Sequence, residues 1–389
     1  MATQRTLGQQ LRGDLGFIPV LLTLIVIMAF FEITTNGLFL SPRNLSFLIL
    51  QNSEIALLSL GVTLVLLLGE IDLSLASVAV LSAVVMGVLS TRVGFPGWAA
   101  ILVGLLVGAV AGAINGFFIA ILRIPSFIVT LAASIAYAGL LLYLLNGQAT
   151  LILNDPLIIG LSGSPYSYLP NWGIALPIIA VALYIGSLLY EQARRRRTGL
   201  RLISPASLYT RIIVSAVLVI GAVILFQSYQ GIPYSTALLF GLIILFWLIL
   251  RRTTFGRHVY AVGGNPEASR RAGINVTYIR IMVFTLCSLL AAVGGIIEAS
   301  RGNAVASQID TTLLLNAIAA AVIGGVSLFG GKGSVWNIVL GVLIIGSLVN
   351  GLALRSQGSD VQQMIEGAVL IIAVTVDALI RRAQARTGR

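Results

Sequence analysis

The sequence has little of what most enzyme sites are built from. Its 389 residues include one cysteine, Cys287, and one histidine, His258. A single cysteine excludes an intrachain disulfide, and a histidine with no second histidine or nearby cysteine cannot complete a zinc site. His258 also lies in a polar loop, away from any Ser and Asp with which it could form a catalytic triad. We therefore expect no catalytic residues, no metal and no cofactor.

Charge is scarce as well. Only 10% of residues are charged, 58% are hydrophobic, and the mean hydropathy is +1.02, whereas an ordinary soluble domain is about 25% charged. The long apolar runs lack the alternation of a transmembrane β-barrel, so they predict one all-α polytopic membrane domain over residues 1–389. The net charge of +11 is explained by arginines that set topology, and no nucleic-acid partner is expected.

Apolar runs and turn residues predict twelve membrane-spanning segments with both termini cytoplasmic. In this arrangement only four of the 24 Lys and Arg residues, at 43, 92, 301 and 355, lie on the outer side. A shift by one segment would reverse that bias, contrary to the positive-inside rule. The predicted segments are 17–38, 46–69, 72–90, 97–121, 126–145, 172–190, 211–228, 234–250, 279–298, 313–329, 335–354 and 362–380.

A polar stretch at 251–280 separates two of these segments and contains the signals of a short helix. Asn265 is a good N-cap, Pro266 suits the first helical position, and Glu267 puts negative charge at the positive end of the helix dipole. Positive charge and then a glycine close the pattern, at Arg270, Arg271 and Gly273. The helix at 265–272 is too short to cross a bilayer and is suited to contacting something outside the membrane.

Two other polar segments suggest surface contacts. Loop 146–171 has no Lys or Arg and is the longest external segment. It is either a docking surface for an extracytoplasmic partner or a simple connector. The arginine run 194–197 is expected to lie beside anionic headgroups of membrane lipid.

Glycines indicate how the spanning helices pack. A glycine recurs every four residues at 104, 108, 112 and 116, which makes a ridge that another helix can approach closely. The sequence AING at 113–116 resembles LVNG at 348–351. The two segments run in opposite directions in the predicted topology, which fits an inverted repeat of the kind found in many transporters.

Polar residues in or beside the apolar runs are candidates for a translocation path, because burying them is costly and often functional. The same residues could instead pair neighbouring helices, and Asp72 or Ser74 could cap the helix that follows. Ion-driven transport through Glu54, Glu70 or Glu366 is the alternative to an ATP-driven mechanism. The candidates are Glu54, Glu70, Asp72, Asn115, Asn316, Asn350 and Glu366.

The glycine-rich stretch 330–334 does not form a phosphate-binding loop. That motif needs Ser or Thr directly after its Lys and a Gly five residues before the Gly-Lys pair. Here Gly333 follows Lys332, and Val326 occupies the place of the first Gly. Energy from ATP would therefore have to come from another protein.

Several motifs together resemble one family, the ABC-type permeases that import ribose, xylose and galactose. The likeness covers about residues 45–150 and 250–380. It implies a multi-pass permease of the bacterial inner membrane, working as a homodimer with cytoplasmic ATP-binding subunits and an extracytoplasmic sugar-binding protein. The motifs are GEIDLS at 69–74, IPSFIVT at 124–130, FGR at 255–257, GGNPEASR at 263–270, AGI at 272–274, AIAA at 317–320 and VIGGVSL at 322–328.

The resemblance also implies that the 265–272 helix is the element that couples the permease to the ATPase. The coupling residues it implies are Gly264, Asn265, Pro266, Glu267, Ala268, Arg270, Arg271 and Gly273.

The chain departs from the family pattern in three places. Glu70 replaces the usual second Gly, a variation of the xylose-type branch, and Leu314 and Asn316 replace an acidic pair. Residues 191–250 add a basic loop and a hydrophobic hairpin to the ten-span ribose-type pattern, as in longer xylose-type permeases. A pentose such as xylose is therefore the predicted substrate.

Overall fold

Helices account for almost all of the regular structure. The computed structural model describes residues 18–163, 167–199, 202 and 204–386. Over these residues the chain forms sixteen α-helices and one two-stranded sheet. The predicted all-α class is therefore confirmed, and it follows from a bilayer's demand that backbone groups be satisfied within each segment.

The first part of the chain contains six helices and a π-helical turn, Leu89–Val93, that extends the fourth. The helices are α1 (Ile18–Thr34), α2 (Pro42–Gln51), α3 (Ser53–Leu67), α4 (Leu75–Val88), α5 (Gly97–Ala120) and α6 (Ser126–Leu145).

The remainder begins with a strand and includes a 3-10 turn, Asn171–Ile174, before its second helix. Its elements are β1 (Thr150–Ile152), α7 (Pro156–Gly160), α8 (Ala175–Arg197), α9 (Pro205–Gln227), α10 (Tyr234–Arg252), α11 (Thr254–Gly264), α12 (Pro266–Arg271), α13 (Val276–Gly302), β2 (Ala304–Ala306), α14 (Thr311–Ile323), α15 (Asn337–Leu354) and α16 (Ser359–Arg386).

Among the described residues, eight helices are long and apolar enough to cross a membrane, or nine if the bent pair α2–α3 counts as one span. That pair bends by 42°. Shorter apolar helices occur in α1 and α14. Each predicted segment has a helical counterpart, but the twelve crossings and the cytoplasmic termini stay predictions. Arg5 and Arg12, which orient the N terminus in that prediction, lie outside the described residues.

Helix α13 is the centre of the bundle and packs against α3, α4 and α5. The predicted glycine ridge of α5 lies along it. A Cβ at Gly108 would stand 2.9 Å from the carbonyl oxygen of Ser288, and one at Gly116 would stand 2.8 Å from the Cα of Ile281. Only glycine allows the two backbones to come this close. Cys287 of α13 is fully buried and free.

The small sheet lies at one end of the bundle. Strand β1, after α6, pairs antiparallel with β2, after α13, and Leu151 faces Val305 in the register. Asp155 accepts a hydrogen bond from Gly97 N at 3.0 Å and caps α7. Loop 146–171 therefore has structure of its own, although residues 164–166 lie outside the described part. We call this the strand end, and the opposite end, near α11 and α12, the loop end.

The segment 191–250 differs in detail from the prediction. The arginine run 194–197 forms the last turn of α8 rather than a loop, where positive charge stabilises the helix C-terminus. Helix α9 packs on α8 and α2, with the rings of Phe47 and Tyr229 5.6 Å apart. Helix α10 packs on α2, α3 and α11.

Candidate coupling site and buried polar contacts

The short helix predicted at 265–272 is present as α12. The Asn265 side chain accepts a hydrogen bond from Ala268 N at 2.9 Å. At the other end Gly273 has a φ of +85°, and Ile274 N donates to the carbonyl oxygen of Ser269 at 3.0 Å. Both ends of α12 are therefore fixed by local interactions, as the start and stop signals indicate.

The outer face of α12 is exposed and charged. Glu267 pairs with Arg270 at 3.2 Å and with Arg271 at 3.3 Å. Exposed pairs of this kind contribute little to stability, so these side chains are free to serve a partner. Apart from half-buried Pro266, the predicted coupling residues are all exposed: Gly264, Asn265, Glu267, Ala268, Arg270, Arg271 and Gly273.

A tight backbone contact beneath α12 was missed by the sequence analysis. Gly263 packs so closely on the carbonyl oxygen of Leu67, the last residue of α3, that a Cβ would overlap that oxygen. Gly331 N donates to the same oxygen at 2.9 Å, and a Cβ at Gly330 would stand 2.6 Å from Gly263 O. We call Leu67, Gly263, Gly330 and Gly331 the glycine junction. The sequence signal for this contact was the pair of glycines at 263–264 and at 330–331, in two stretches that were predicted to be loops.

Tyr260 adds a side-chain bond beside the glycine junction. Its hydroxyl donates to the carbonyl oxygen of Gly333 at 2.9 Å. Burial raises the pKa of Tyr260, so the hydroxyl keeps its proton at neutral pH and remains a donor. Helix α11 is thus tied to the loop after α14 by a side chain as well as by backbone.

The segment 69–74 runs between α3 and α4 and is held by the start of α6. Ile71 N donates to Ser126 Oγ at 3.3 Å, and Leu73 N donates to Thr130 Oγ1 at 3.0 Å. Hydroxyls of α6 thereby satisfy backbone groups that have no helix partner. The motifs at 69–74 and 124–130, which are separate in the sequence, form one structural unit.

Asp72 lies at the centre of a buried polar network. Its Oδ1 accepts hydrogen bonds from Ser74 N at 2.9 Å and Ser74 Oγ at 2.6 Å. Asn115 Nδ2 donates to Ser74 Oγ at 2.9 Å, and Tyr137 OH donates to Asn115 Oδ1 at 3.2 Å. Neither Asp72 nor Ser74 makes a side-chain cap bond within α4. The capping interpretation is therefore wrong, because the Asp72 carboxylate bonds to Ser74 and the Ser74 hydroxyl bonds to Asp72 and to Asn115 of α5.

Glu70 forms an ion pair with Arg280 of α13, with 3.0 Å between Oε1 and Nη2. The side chains are only 16% and 23% exposed, so removal of one would leave a poorly solvated charge. Arg280 was not among the predicted site residues, since it marked the edge of an apolar run. The contact favours a role for Glu70 in joining the 69–74 segment to α13.

At the strand end, two carboxyl groups share one arginine. Glu54 of α3 and Glu298 of α13 are close enough for a side-chain hydrogen bond. Arg301 Nε donates to Glu298 Oε2 at 2.7 Å. Arg301 is thus the cation nearest to both carboxyl groups, and it is bonded directly to Glu298.

The other three predicted path residues also bond between helices. Asn316 Nδ2 donates to Glu366 Oε2 at 3.0 Å, linking α14 to α16. Asn350 of α15 exchanges hydrogen bonds with Asn44 of α2, at 2.9 and 3.2 Å. The structure therefore brings Asp72 together with Asn115 through Ser74, and Asn316 with Glu366. Over the described part of the chain, no group of three His, Cys, Asp or Glu residues is arranged to hold a metal ion.

Comparisons with known proteins agree with this architecture. Residues 44–374 match the family described as branched-chain amino acid transport system / permease component. The chain is 36% identical over 359 residues to the xylose transport system permease protein of Haemophilus influenzae, covering 92% of this chain and 95% of that protein. It is 37% identical over 372 residues to the corresponding protein of Escherichia coli, covering 95% and 93%. It is 32% identical over 389 residues to the fructose import permease protein of Rhizobium meliloti, covering 99% and 92%. No solved structure is significantly similar to the chain.

Proposed function

Because this chain belongs to the family of branched-chain amino acid transport system permease components, we propose that it is the membrane subunit of an ATP-driven monosaccharide importer. Relatives named for xylose and fructose favour a sugar over an amino acid. Their names also identify the relatives as permeases, which move a solute and are not themselves enzymes. Eight apolar helices support a multi-pass protein of the inner membrane.

The proposed topology has twelve crossings, with both termini and the loop end in the cytoplasm. It is supported by the distribution of arginines, including those at 194–197 and on α12. The Asn115–Ser74 bond lies near the loop end, whereas the Asn350–Asn44 bond lies near the strand end. An Asn that bonds between elements at each end of the bundle is consistent with an inverted repeat, although the partners differ.

Coupling to the ATPase is proposed to occur through α12. The observation that carries this proposal is that α12 has an exposed charged face while Gly263, just before it, packs on the end of α3. A cytoplasmic ATP-binding subunit that displaces α12 therefore pushes directly on α3 and on the loop after α14. Since the 69–74 segment follows α3, the same push reaches Asp72 and its partners on α5.

Xylose is the proposed substrate, because relatives named for xylose match over more than nine tenths of the chain. An extracytoplasmic binding protein would deliver the sugar at the strand end, where β1 and α7 of loop 146–171 offer a surface. A second copy of this chain would complete the path. Uncharged or internally paired polar groups suit a sugar, since hydroxyls need hydrogen bonds but no counter-charge.

The test is reconstitution of the chain in vesicles with an ATP-binding subunit and a sugar-binding protein of a xylose importer. We expect uptake of labelled xylose that requires ATP, with weaker uptake of ribose and fructose. Uptake by the chain alone, driven by a proton or sodium gradient, would refute the proposal in favour of ion coupling through Glu54, Glu70 or Glu366. A strong preference for another sugar would refute only the assignment of xylose as the substrate.

A further inference from the structure

A cavity of about 250 Å³ opens at the loop end, between the α5–α6 loop and the first turns of α13. Arg123, Arg270 and Arg280 line it together with one carboxylate, Glu70. Glu70 is paired with Arg280, and Arg270 is paired with Glu267 on α12. Arg123 is therefore the lining arginine that has no ion pair within the described residues, and it supplies the excess positive charge. The cavity lies directly beside α12, because Arg270 belongs to that helix.

The donors around this cavity are suited to phosphate. Guanidinium groups present planar forks that match phosphate oxygens, and they bind them more specifically than an ammonium does. Arg280 Nε is buried and has no hydrogen-bond partner among the described residues. Arg123 has a φ of +58°, a strained conformation for a residue other than glycine. Such strain is commonly kept where a side chain has to be placed for function.

Exposed apolar surface adjoins the cavity and indicates which kind of phosphate-containing molecule would bind there. Ile121 and Leu122, next to Arg123, are 49% and 53% exposed, and Phe127 in the first turn of α6 is 53% exposed. A soluble phosphate or an acidic side chain of a partner protein would make no contact with this apolar surface. An amphiphile would use both the positive cavity and the apolar helix ends.

We propose that this cavity binds the phosphate headgroup of an anionic phospholipid, whose acyl chains lie along the exposed ends of α5 and α6. The headgroup would bridge Arg270 of α12 and Arg280 of α13, and so hold α12 in position. The cavity shares Glu70 with the predicted path residues and Arg270 with the predicted coupling residues, and lipid occupancy can be measured without transport and without the ATPase. Only the leaflet it faces depends on the topology proposed above.

The experiment titrates the purified full chain in nanodiscs with fluorescent phosphatidylglycerol, and in parallel with phosphatidylcholine that carries the same acyl chains. We expect a clear preference for phosphatidylglycerol. Arg123→Asn, which suits a positive φ, should weaken that binding by roughly tenfold, the loss expected for one charge-assisted hydrogen bond. The matched control Arg355→Gln removes an exposed arginine that follows α15 and does not line the cavity, and it should change binding less than about twofold.

A variant that binds phosphatidylglycerol more tightly provides a second test, because a misfolded chain would lose affinity rather than gain it. Glu70→Gln removes the one negative charge from the cavity and should strengthen phosphatidylglycerol binding. Equal binding of both lipids, or equal losses for Arg123→Asn and Arg355→Gln, would overturn the proposal. Displacement of the lipid by inorganic phosphate would assign the cavity to a soluble phosphate. Loss of ATPase assembly in Arg123→Asn without loss of lipid binding would assign it to an acidic group of the partner.

Discussion

Gly263, near the end of α11, lies directly against the carbonyl oxygen of Leu67 at the end of α3, with no side chain between the two backbones. The contact joins two backbones, and Gly331 donates a hydrogen bond to the same oxygen. Backbone contacts without flexible side chains transmit displacement with little loss, because packed elements do not deform continuously. This relationship makes the glycine junction the most informative place to test coupling.

Gly263→Ala is expected to abolish ATP-driven uptake, since the added methyl group forces α11 away from α3. Overpacking of this kind costs about 1–3 kcal/mol, so thermal unfolding of the purified chain should be measured beside uptake. Gly264→Ala adds the same group to open space and should reduce uptake less. Gly241→Ala on α10, also with nothing near its added methyl, is the matched control for full uptake. Equal behaviour of Gly263→Ala and Gly241→Ala would contradict the role of the junction.

Glu267→Arg is expected to abolish ATP-driven uptake while leaving the chain folded. The substitution reverses a charge on the exposed face of α12 and places three arginines side by side, which disturbs a docking surface more than a core. The readouts are uptake and the amount of ATPase that copurifies with the permease. Glu191→Arg is the control, because Glu191 also pairs with an arginine four residues on and is 48% exposed. Unchanged transport by Glu267→Arg would count against coupling through α12.

Ser74→Ala is expected to destabilise the chain by about 2 kcal/mol, because it leaves both Asp72 and Asn115 short of a buried hydrogen-bond partner. A thermal unfolding experiment in detergent measures this as a lowered midpoint. Ser59→Ala serves for comparison, since the Ser59 hydroxyl bonds only within its own helix, to Ile55 O at 2.6 Å. A midpoint as high as that of Ser59→Ala would show that the network contributes little to stability.

Tyr260→Phe is expected to lower stability at neutral pH and to alter its dependence on alkaline pH. Because the pKa of Tyr260 is raised in the folded chain, the unfolded chain loses this proton first as the pH rises above about 10. The stabilising effect of the hydroxyl is therefore complete below that pH and declines above it. The difference in unfolding free energy between the native chain and Tyr260→Phe should be smaller at about pH 11 than at about pH 8, with the decline beginning near pH 10. A constant difference would refute the assignment.

Local signals predicted much of the fold. Helix α6 occupies 126–145 as predicted, because Pro125 precedes its first turn and Asn146, with a φ of +53°, ends it. The predicted segment 313–329 was too long, since the helix ends at Ile323 and a glycine turn with a φ of +96° at Gly325 follows. Apolar sequence continues through that turn partly because Val326 is buried in the bundle.

Contacts between distant parts of the chain could not be predicted in the same way. The partners of Glu70 and Gly263 lie in other helices, and no periodic pattern in one segment encodes which residue faces it across the bundle. Asp72 and Asn115 were identified as buried polar groups, but their link through Ser74 depends on how α4 and α5 pack. A single sequence therefore indicates which polar groups are buried, but not what they bind.

The burial of Cys287 also has a practical consequence. Its thiol is enclosed in α13 against Gly61, where a water-borne maleimide has no access in the folded chain. A reporter cysteine introduced on the exposed face of α12 can thus be labelled in the otherwise native sequence. Fluorescence or spin labels could then follow the helix through each nucleotide state without a background substitution in the centre of the bundle.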